Sequence, residues 1–369
     1  MRRRTLLNAA PVFTALLMAL GYSPARADGN IQDYTLDRTF DLPASWNGTG
    51  DFDDAVIFDD LPDGRLLLVN GPSISVEDSV GAGTFTAIGD YTTTAPFFGP
   101  GFVAVSPDGT RAAIGSNAGG SVFIADTTAP TPGTTQNLAA SDFAGVWLDN
   151  TNLALSNFNG VDVLNTSTGT VTNIISNIGG SSAGITIDAA GNLYTGNGSD
   201  FDPLVGSNTG SVKAFEAVAV QTAITSGTAI DFEASGVEVA DLLSANTLGF
   251  DAFGNFFVGG GDTFGSSGDL GYAGLIDGDA FADRLADPVN VALINQNSSA
   301  SILRQFDTPQ PFIDAQQPPI WVYNDFTGEL LLSYFEQSTV QVYVIPEPAA
   351  AGLLALGLVL VVTRRHAGR

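Results

Sequence analysis

One stretch near the middle of the chain decides the fold: Gly184-Ile185-Thr186-Ile187-Asp188-Ala189-Ala190-Gly191-Asn192-Leu193-Tyr194. A mostly apolar segment ends in an aspartate, a glycine and an asparagine follow, and a second apolar segment begins. An Asx residue at a strand end accepts hydrogen bonds from the backbone of the turn, and Gly or Asn readily adopts a positive φ. The stretch therefore predicts two strands joined by a tight turn.

The same unit occurs six times along the chain. Its turns lie at Pro62-Asp63-Gly64, Pro107-Asp108-Gly109, Asn150-Thr151-Asn152, Gly191-Asn192, Gly254-Asn255 and Thr327-Gly328. Most copies continue with a third strand and some with a fourth, as at 121–126, 161–164, 211–215 and 170–175. Four-stranded units that recur about every 40 to 45 residues are typical of the blades of β-propellers.

Composition and repeat together predict an all-β fold built as a single β-propeller. Gly, Asp, Asn, Ser and Thr are abundant, whereas Lys, Glu and Met are scarce, which favours turns and strands over helices. Six turns indicate six blades. Seven blades are the alternative, because the last two intervals between turns are 63 and 74 residues long and a degenerate blade fits at 289–306.

The last repeat predicts how the ring closes. Its third strand, 340–345, runs directly into the C-terminal tail and leaves no room for a fourth strand. The segment 34–40 has the pattern of a strand but no neighbouring partner in sequence. We expect it to complete the last blade and so to protect an open sheet edge. A short helix is expected at 279–286.

The stretch 184–194 resembles an NHL-type blade, and a six-bladed ring is also similar to the gluconolactonase-like hydrolases. That second resemblance implies one divalent metal in the central channel, held by oxygen ligands near the entrances of the innermost strands. The six equivalent positions are Asp54, Gly101, Ala144, Ala183, Asn246 and Pro319. Only Asp54 and Asn246 carry side-chain oxygens, whereas calcium prefers about six to eight ligands. The structural alternative is that Asp54 begins a strand and Asn246 caps a turn.

Acidic loops are the second class of candidate calcium site. The clusters are Asp51 with Asp53 and Asp54, Asp200 with Asp202, and Asp277 with Asp279 and Asp283. Carboxylates spaced along glycine-rich loops suit calcium, but none of the clusters has the final bidentate Glu of an EF-hand. Solvated charge on an acidic protein is the alternative explanation for each cluster.

The N-terminal segment has the features of a secretory signal peptide. Arg2, Arg3 and Arg4 form a positive start, and 6–20 is mostly apolar. Ala25 and Ala27 are the small residues that a signal peptidase reads, so cleavage is expected before Asp28. A membrane anchor that stays uncleaved is the alternative.

The C-terminal segment carries Pro346-Glu347-Pro348, an apolar run at 349–362, and then Arg364 and Arg365. This tripartite tail resembles the sorting signal of PEP-CTERM proteins, which implies export and processing by an exosortase. As a helix the run would span about 21 Å, and the two arginines would hold its end on the cytoplasmic side. A buried C-terminal core helix is the alternative, but the run lacks polar residues at helical spacing.

Composition excludes several kinds of chemistry. The chain has no cysteine, and its one histidine, His366, lies in the tail expected to be removed. Histidine-based nucleophile systems, thiolate chemistry and the usual zinc sites are therefore excluded for the processed protein. All 39 acidic residues but only six of the 13 bases lie between Asp28 and Glu347, so nucleic acid is a poor partner and cations are favoured.

These observations predict three segments: a signal peptide at 1–27, a β-propeller domain at 28–345 and a sorting signal at 346–369 with a short hydrophobic, membrane-spanning helix. The expected partners are signal peptidase and an exosortase during transient anchoring in the inner membrane, and then an extracellular polysaccharide or a surface protein. We expect a non-enzymatic binding or matrix component at the cell surface or outside the cell. The link to exopolysaccharide or biofilm comes from the PEP-CTERM resemblance alone.

The main alternative is a divalent-metal-dependent hydrolase of the lactonase type, with Ca²⁺ as the possible cofactor. A glycosidase would need a carboxylate pair that the sequence does not distinguish from its other acids. Aromatic residues are candidate platforms for sugar rings: Trp46, Phe97, Phe98, Trp147 and Trp321. Trp147 and Trp321 fall in predicted inner strands, where packing between blades also explains them.

Overall fold

A computed structural model describes residues 29–43, 56–90, 100–116, 120–128, 134–137, 142–157, 160–178, 181–199, 210–242, 245–260, 272–306, 319–334 and 339–345. In these residues the strands form six sheets, each an antiparallel blade of four strands, and two blades gain a short fifth strand that runs parallel to its neighbour. The innermost strand of each blade contacts those of the blades before and after it, and the sixth contacts the first. The fold is therefore a closed six-bladed propeller, as predicted.

Each blade is described from its innermost strand outward. Blades 1 to 3 contain β2 (Val56–Asp60), β3 (Leu66–Asn70), β4 (Ser73–Glu77) and β5 (Phe85–Asp90); β6 (Pro100–Val105), β7 (Arg111–Ser116), β8 (Ser121–Asp126) and β9 (Thr134–Asn137); and β10 (Asp142–Trp147), β11 (Asn152–Asn157), β12 (Gly160–Asn165), β13 (Thr170–Ser176) and β17 (Ile230–Asp231). Blades 4 to 6 contain β14 (Ser181–Ile187), β15 (Leu193–Ser199), β16 (Gly210–Phe215), β18 (Val237–Leu242) and β22 (Ile294–Asn295); β19 (Thr247–Phe250), β20 (Phe256–Gly260), β21 (Tyr272–Ile276) and β23 (Leu303–Phe306); and β24 (Pro319–Asn324), β25 (Glu329–Tyr334), β26 (Thr339–Val344) and β1 (Thr35–Asp41).

Helices are few and short among the residues that the structure describes. A 3-10 helix at Ile31–Asp33 precedes β1, α1 at Ala217–Ser226 follows the third strand of blade 4, and α2 at Gly278–Ala286 follows the third strand of blade 5. The helix predicted at 279–286 is confirmed as α2. Within the described ranges, no helix has the length and apolar character that a membrane crossing requires. The predicted C-terminal helix lies outside the described residues.

Burial explains why the inner strands are apolar along their whole length. Every residue of β24, the innermost strand of blade 6, and of β20, the second strand of blade 5, is buried, because these strands pack against neighbouring blades on both faces. The outermost strand β5 has no fully buried residue and leaves Thr86 and Ala87 in solvent. The core therefore consists of apolar layers between neighbouring blades, the largest joining blades 1, 2 and 6.

The seven-bladed alternative is wrong. The segment 289–306 provides β22, a two-residue addition to blade 4, and β23, the fourth strand of blade 5. It does not form a sheet of its own. The long intervals between the last turns arise because blades 4 and 5 each insert a helix after their third strand.

The N-terminal strand closes the ring as predicted. β1 pairs antiparallel with β26 from Thr35–Val344 to Asp41–Thr339, and so becomes the outermost strand of blade 6. Arg38 on β1 binds both carboxylate oxygens of Glu329 on β25, at 2.6 and 3.0 Å. The chain before β1 docks on blade 5, where Arg304 donates to the carbonyl oxygens of Ile31 and Tyr34 at 2.9 and 2.6 Å.

Candidate functional site

A cavity of about 1190 Å³ lies on the axis of the propeller, at the end where the innermost strands finish. All six blades contribute to its wall. Helix α2 adds Asp279, Phe281 and Leu285 to the side formed by blade 5. The size is at or above the range of about 300 to 1,000 Å³ typical of small-molecule pockets.

Asx turns shape the rim of this cavity in blades 4 and 5. Asp188 accepts the backbone N–H groups of Ala190 and Asn192, each at 2.9 Å, and its other oxygen accepts the Asn192 amide at 2.8 Å. Asp251 repeats this pattern with Phe253 and Asn255, each at 2.8 Å, and the Asn255 amide at 2.7 Å. The turn chemistry read from the sequence is therefore confirmed in these blades.

The asparagine of each turn also positions a helix. Asn192 accepts the N–H of Ala217 at the start of α1 at 3.0 Å, and Asn255 accepts the N–H of Gly278 at the start of α2 at 2.8 Å. In each of the two blades, the asparagine therefore links the turn after the innermost strand to the helix that follows the third strand. In blade 5 this link places α2 at the cavity, and nothing in the local sequence pattern predicted it.

Nine aromatic residues are among those that line the cavity: Phe58, Trp147, Tyr194, Phe250, Phe253, Phe257, Phe281, Trp321 and Tyr323. Phe257 reaches the wall from the second strand of its blade because Gly249, in front of it, has no side chain. A Cβ atom on Gly249 would lie 1.9 Å from the Phe257 ring. That ring stacks on Trp321 with centroids 5.6 Å apart and planes 25° apart.

The two tryptophans on the wall differ in their hydrogen bonding. The Trp147 indole N–H donates to the carbonyl of Ala104 at 2.9 Å. The Trp321 indole is only 6% exposed, and its N–H has no acceptor among the described residues. A buried donor without a partner costs about 1 to 3 kcal/mol, and this nitrogen is enclosed by the protein rather than open to the cavity.

A side recess of about 580 Å³ opens from the cavity between blades 1, 2 and 6. We call it the acidic recess: its wall contains Asp59, Asp60 and Asp325, together with Leu61, Pro62, Val105, Ser106, Pro107 and Phe326. Asp59 accepts the N–H of Val105 in the neighbouring blade at 2.7 Å. The sequence predicted that the aspartate at each strand end would accept hydrogen bonds from the backbone of the turn that follows it. Asp59 instead accepts one from the neighbouring blade, so the predicted pattern does not hold in blade 1.

Electrostatics in the acidic recess are unfavourable for ionised carboxylates. Burial raises the pKa of Asp59. Burial, together with the negative charges of Asp59 and Asp325, raises the pKa of Asp60. Both shifts disfavour the charged form, as expected when like charges share a poorly solvated site. Groups with shifted pKa values in a cavity are typical of functional sites, although structural clusters also show them.

Of the predicted metal residues, the structure places Asp279 on the wall of this cavity and the others away from it or outside the described residues. Asn246 is half-buried and precedes β19, at the opposite end of the inner strands from the cavity. Asp277 caps α2 by accepting the N–H of Ala280 at 3.0 Å, and Asp279 and Asp283 lie exposed on that helix. Outside the described residues lie Asp51, Asp53, Asp54, Asp200, Asp202, Ala25, Ala27, Trp46, Phe97, Phe98, Pro346, Glu347, Pro348, Arg364 and Arg365.

Within the described ranges, no three acidic side chains converge closely enough to hold a metal ion. The calcium hypotheses that involve Asp54 and the other residues outside those ranges stay predictions. Sequence reasoning missed Asp59, Asp60 and Asp325 as a group. The available signal was the pair Asp59 and Asp60, which ends the innermost strand of blade 1. Asp325, the third acid of the group, lies near the other end of the chain.

Comparison with known proteins supports the fold and goes no further. No protein-family model matches the chain, and no curated protein matches it. Among solved structures, the holo PQQ domain of pyranose dehydrogenase from Coprinopsis cinerea superposes with a TM-score of 0.56 at 12% identity, over 84% of this chain and 97% of that chain. A chain of the mitotic checkpoint complex superposes with a TM-score of 0.49 at 12% identity, over 92% of this chain and 98% of that chain. At such identities the likeness to the dehydrogenase domain shows the propeller fold alone.

Proposed function

We propose that the protein is an exported β-propeller that binds carbohydrate in its axial cavity, as a binding or matrix component at the cell surface or outside the cell. The aromatic residues that five of the six blades contribute to the cavity wall carry this proposal. Aromatic rings stack against the apolar faces of sugars, and the carboxylates of the wall supply hydrogen-bonding groups for hydroxyls.

Export rests on the sequence. The leader at 1–27 and the tail at 346–369 support passage through the inner membrane, with signal peptidase and an exosortase as processing partners. Mass spectrometry of the protein recovered from outside its producing cells tests both sites. We expect a chain that begins at Asp28 and lacks the segment after Pro348. Recovery of the intact chain from the cytoplasm alone would contradict export.

An aromatic residue on the cavity wall and one away from it provide a matched test of carbohydrate binding. Trp321→Leu keeps a large apolar side chain but removes an aromatic face from the wall, so we expect the affinity for a bound oligosaccharide to fall about 5- to 10-fold. Phe232→Leu removes a buried ring that does not line the cavity, so it should lower stability and leave the affinity unchanged. Binding is measured by calorimetry after an oligosaccharide array has identified a ligand.

Two results would contradict the binding proposal. One is an array without signal on protein shown to be folded by its unfolding transition. The other is an equal loss of affinity in the Trp321 and Phe232 variants, because the loss would then not depend on the aromatic wall of the cavity.

A divalent-metal-dependent lactonase-type hydrolase is the second candidate. The observation in its favour is the raised pKa of Asp59 and Asp60 beside the cavity, since carboxyl groups with raised pKa values serve as general acids. Hydrolysis of glucono-δ-lactone in the presence of Ca²⁺, abolished by Asp60→Asn, would favour this candidate. Equal rates for the variant and the parent protein would count against it.

A further inference from the structure

The first and last strands of the chain meet at one end of the propeller. We call it the cavity end, because the innermost strands finish there around the axial cavity. In blade 6, Asn324 at the finish of β24 pairs with Glu329. Glu329 pairs in turn with Val344, the last residue of β26, and Val344 pairs with Thr35, the first residue of β1. The exit of β26 and the entry of β1 therefore both lie at the cavity end.

The chain before β1 stays at the cavity end. The carbonyl of Gly29 accepts the Asn255 amide at 2.7 Å, in the turn after β19. A Cβ atom on Gly29 would lie 2.5 Å from the side chain of Phe253, which lines the cavity. The cleavage site expected before Asp28 thus directly precedes a residue packed at the cavity rim. The apolar leader segment 6–20 therefore joins the propeller at the same end as the tail.

The tail is joined to the propeller by a short tether. Only three residues, 346–348, separate Ile345 from the apolar run at 349–362. Three residues span at most about 11 Å, whereas the six-residue strands β24, β25 and β26 of blade 6 are each about 20 Å long. Turning the propeller over would require the tether to reach past the whole blade. A bilayer that holds the apolar run therefore lies beside the cavity end.

Charge makes the tail the anchor, and not the cavity end itself. Every charged residue among those that line the cavity is an acid: Asp59, Asp60, Asp188, Asp251, Asp279 and Asp325. Anionic lipid headgroups repel an acidic surface, so electrostatic attraction does not keep this end on a bilayer. Its position beside the membrane lasts only as long as the tether does.

We propose that the tail holds the cavity end against a lipid bilayer and so screens the axial cavity from large ligands until the tail is removed. This inference rests on the exported, carbohydrate-binding function proposed above. While the tail is anchored, a ligand enters only through a gap of about 11 Å or less between the bilayer and the end of blade 6. Removal of the tail opens the cavity to a polysaccharide, so processing also switches binding on.

Fluorescence quenching at the bilayer tests the orientation. The chain has no cysteine, so a single introduced cysteine carries a label at one chosen place. Leu36→Cys and Asp41→Cys label exposed positions near opposite ends of β1, and Val171→Cys labels the cavity end of blade 3, across the ring. The leader-processed chain, 28–369, is reconstituted in phosphatidylcholine vesicles with a quencher on the headgroups. Since Leu36 and Asp41 lie about 17 Å apart along the strand, we expect the labels at 36 and 171 to be quenched about 2-fold more than the label at 41.

A lengthened tether is the matched control. Insertion of about 20 Gly and Ser residues between Ile345 and Pro346 keeps the anchor and gives a flexible tether with a mean span of about 25 Å. We expect the three labels to be quenched equally in this variant. Equal quenching without the insertion would overturn the proposed orientation. Loss of the reconstituted protein from the vesicles would overturn the anchoring on which it rests.

Ligand size tests the screening of the cavity. An oligosaccharide identified on the array is offered free and coupled to beads. We expect the free form to bind the parent protein and the lengthened-tether variant equally, and the beads to capture only vesicles that carry the variant. Capture of both kinds of vesicle would overturn the screening. Failure of the free form with both proteins would overturn carbohydrate binding itself, and the quenching of the labels would still decide the orientation.

Discussion

Gly249→Ala is expected to lower the free energy of unfolding by about 3 kcal/mol or more, at the upper end of overpacking effects. The added Cβ would overlap the Phe257 ring at 1.9 Å, and that ring is buried and stacked on Trp321. Neither ring can turn aside without opening the packing between blades 5 and 6. Urea denaturation measures the loss.

Two companion variants show whether this overlap is the cause. Gly274→Ala lies in the same blade, where the nearest atom is the end of the flexible Leu303 side chain at 3.1 Å, so it should cost less than about 1 kcal/mol. Phe257→Leu in the Gly249→Ala background should restore part of the stability, because it removes the overlapping ring. Equal losses at Gly249 and Gly274 would contradict the explanation.

Asn255→Asp is expected to cost about 3 to 5 kcal/mol at pH 8, the range for an uncompensated buried charge. The Asn255 amide nitrogen donates to Asp251 and to the carbonyl of Gly29, each at 2.7 Å, in a site that is 2% exposed. The substitution removes both donors and places a carboxylate beside Asp251, whose pKa is already raised by burial.

The pH dependence of the Asn255→Asp loss follows from the sign of those shifts. Carboxylates with raised pKa values in the folded state lose stability as the pH rises, so the cost should be smaller at pH 5 than at pH 8. Asn192→Asp is the matched control, since Asn192 occupies the equivalent position in the turn of blade 4 and is less buried than Asn255. Urea denaturation of both variants at both pH values checks this. An equal cost for the two would contradict the role assigned to burial.

The architecture was readable from sequence because each blade repeats a local signal. Strand ends, turns and the unpaired segment before β2 are properties of short stretches, and each has a physical reason that does not depend on distant residues. The ring closure between β1 and β26 could be predicted by counting strands. The helices after β16 and β21 lengthened the intervals between the last turns. Those long intervals were the reason for the seven-bladed alternative.

The candidate site was less predictable because it forms between distant parts of the chain. Asp60 and Asp325 become neighbours only when blade 6 closes against blade 1, and no local pattern links them. The sequence led instead to the strand entrances, where Asn246 lies, whereas the cavity lies at the strand exits. Similarly, the place of Phe257 on the wall depends on the missing side chain of Gly249, a residue in another strand.

The pairing of β1 with β26 has a consequence for the order of assembly. Its two strands lie about as far apart in sequence as any in the domain, so forming it carries the largest loop-closure entropy and makes it a late step of folding. Until the last blade has been synthesised, β1 has no partner and presents a free edge. If the chain is exported as proposed, N-terminus first, it therefore cannot complete its ring before nearly all of it has emerged on the far side of the membrane.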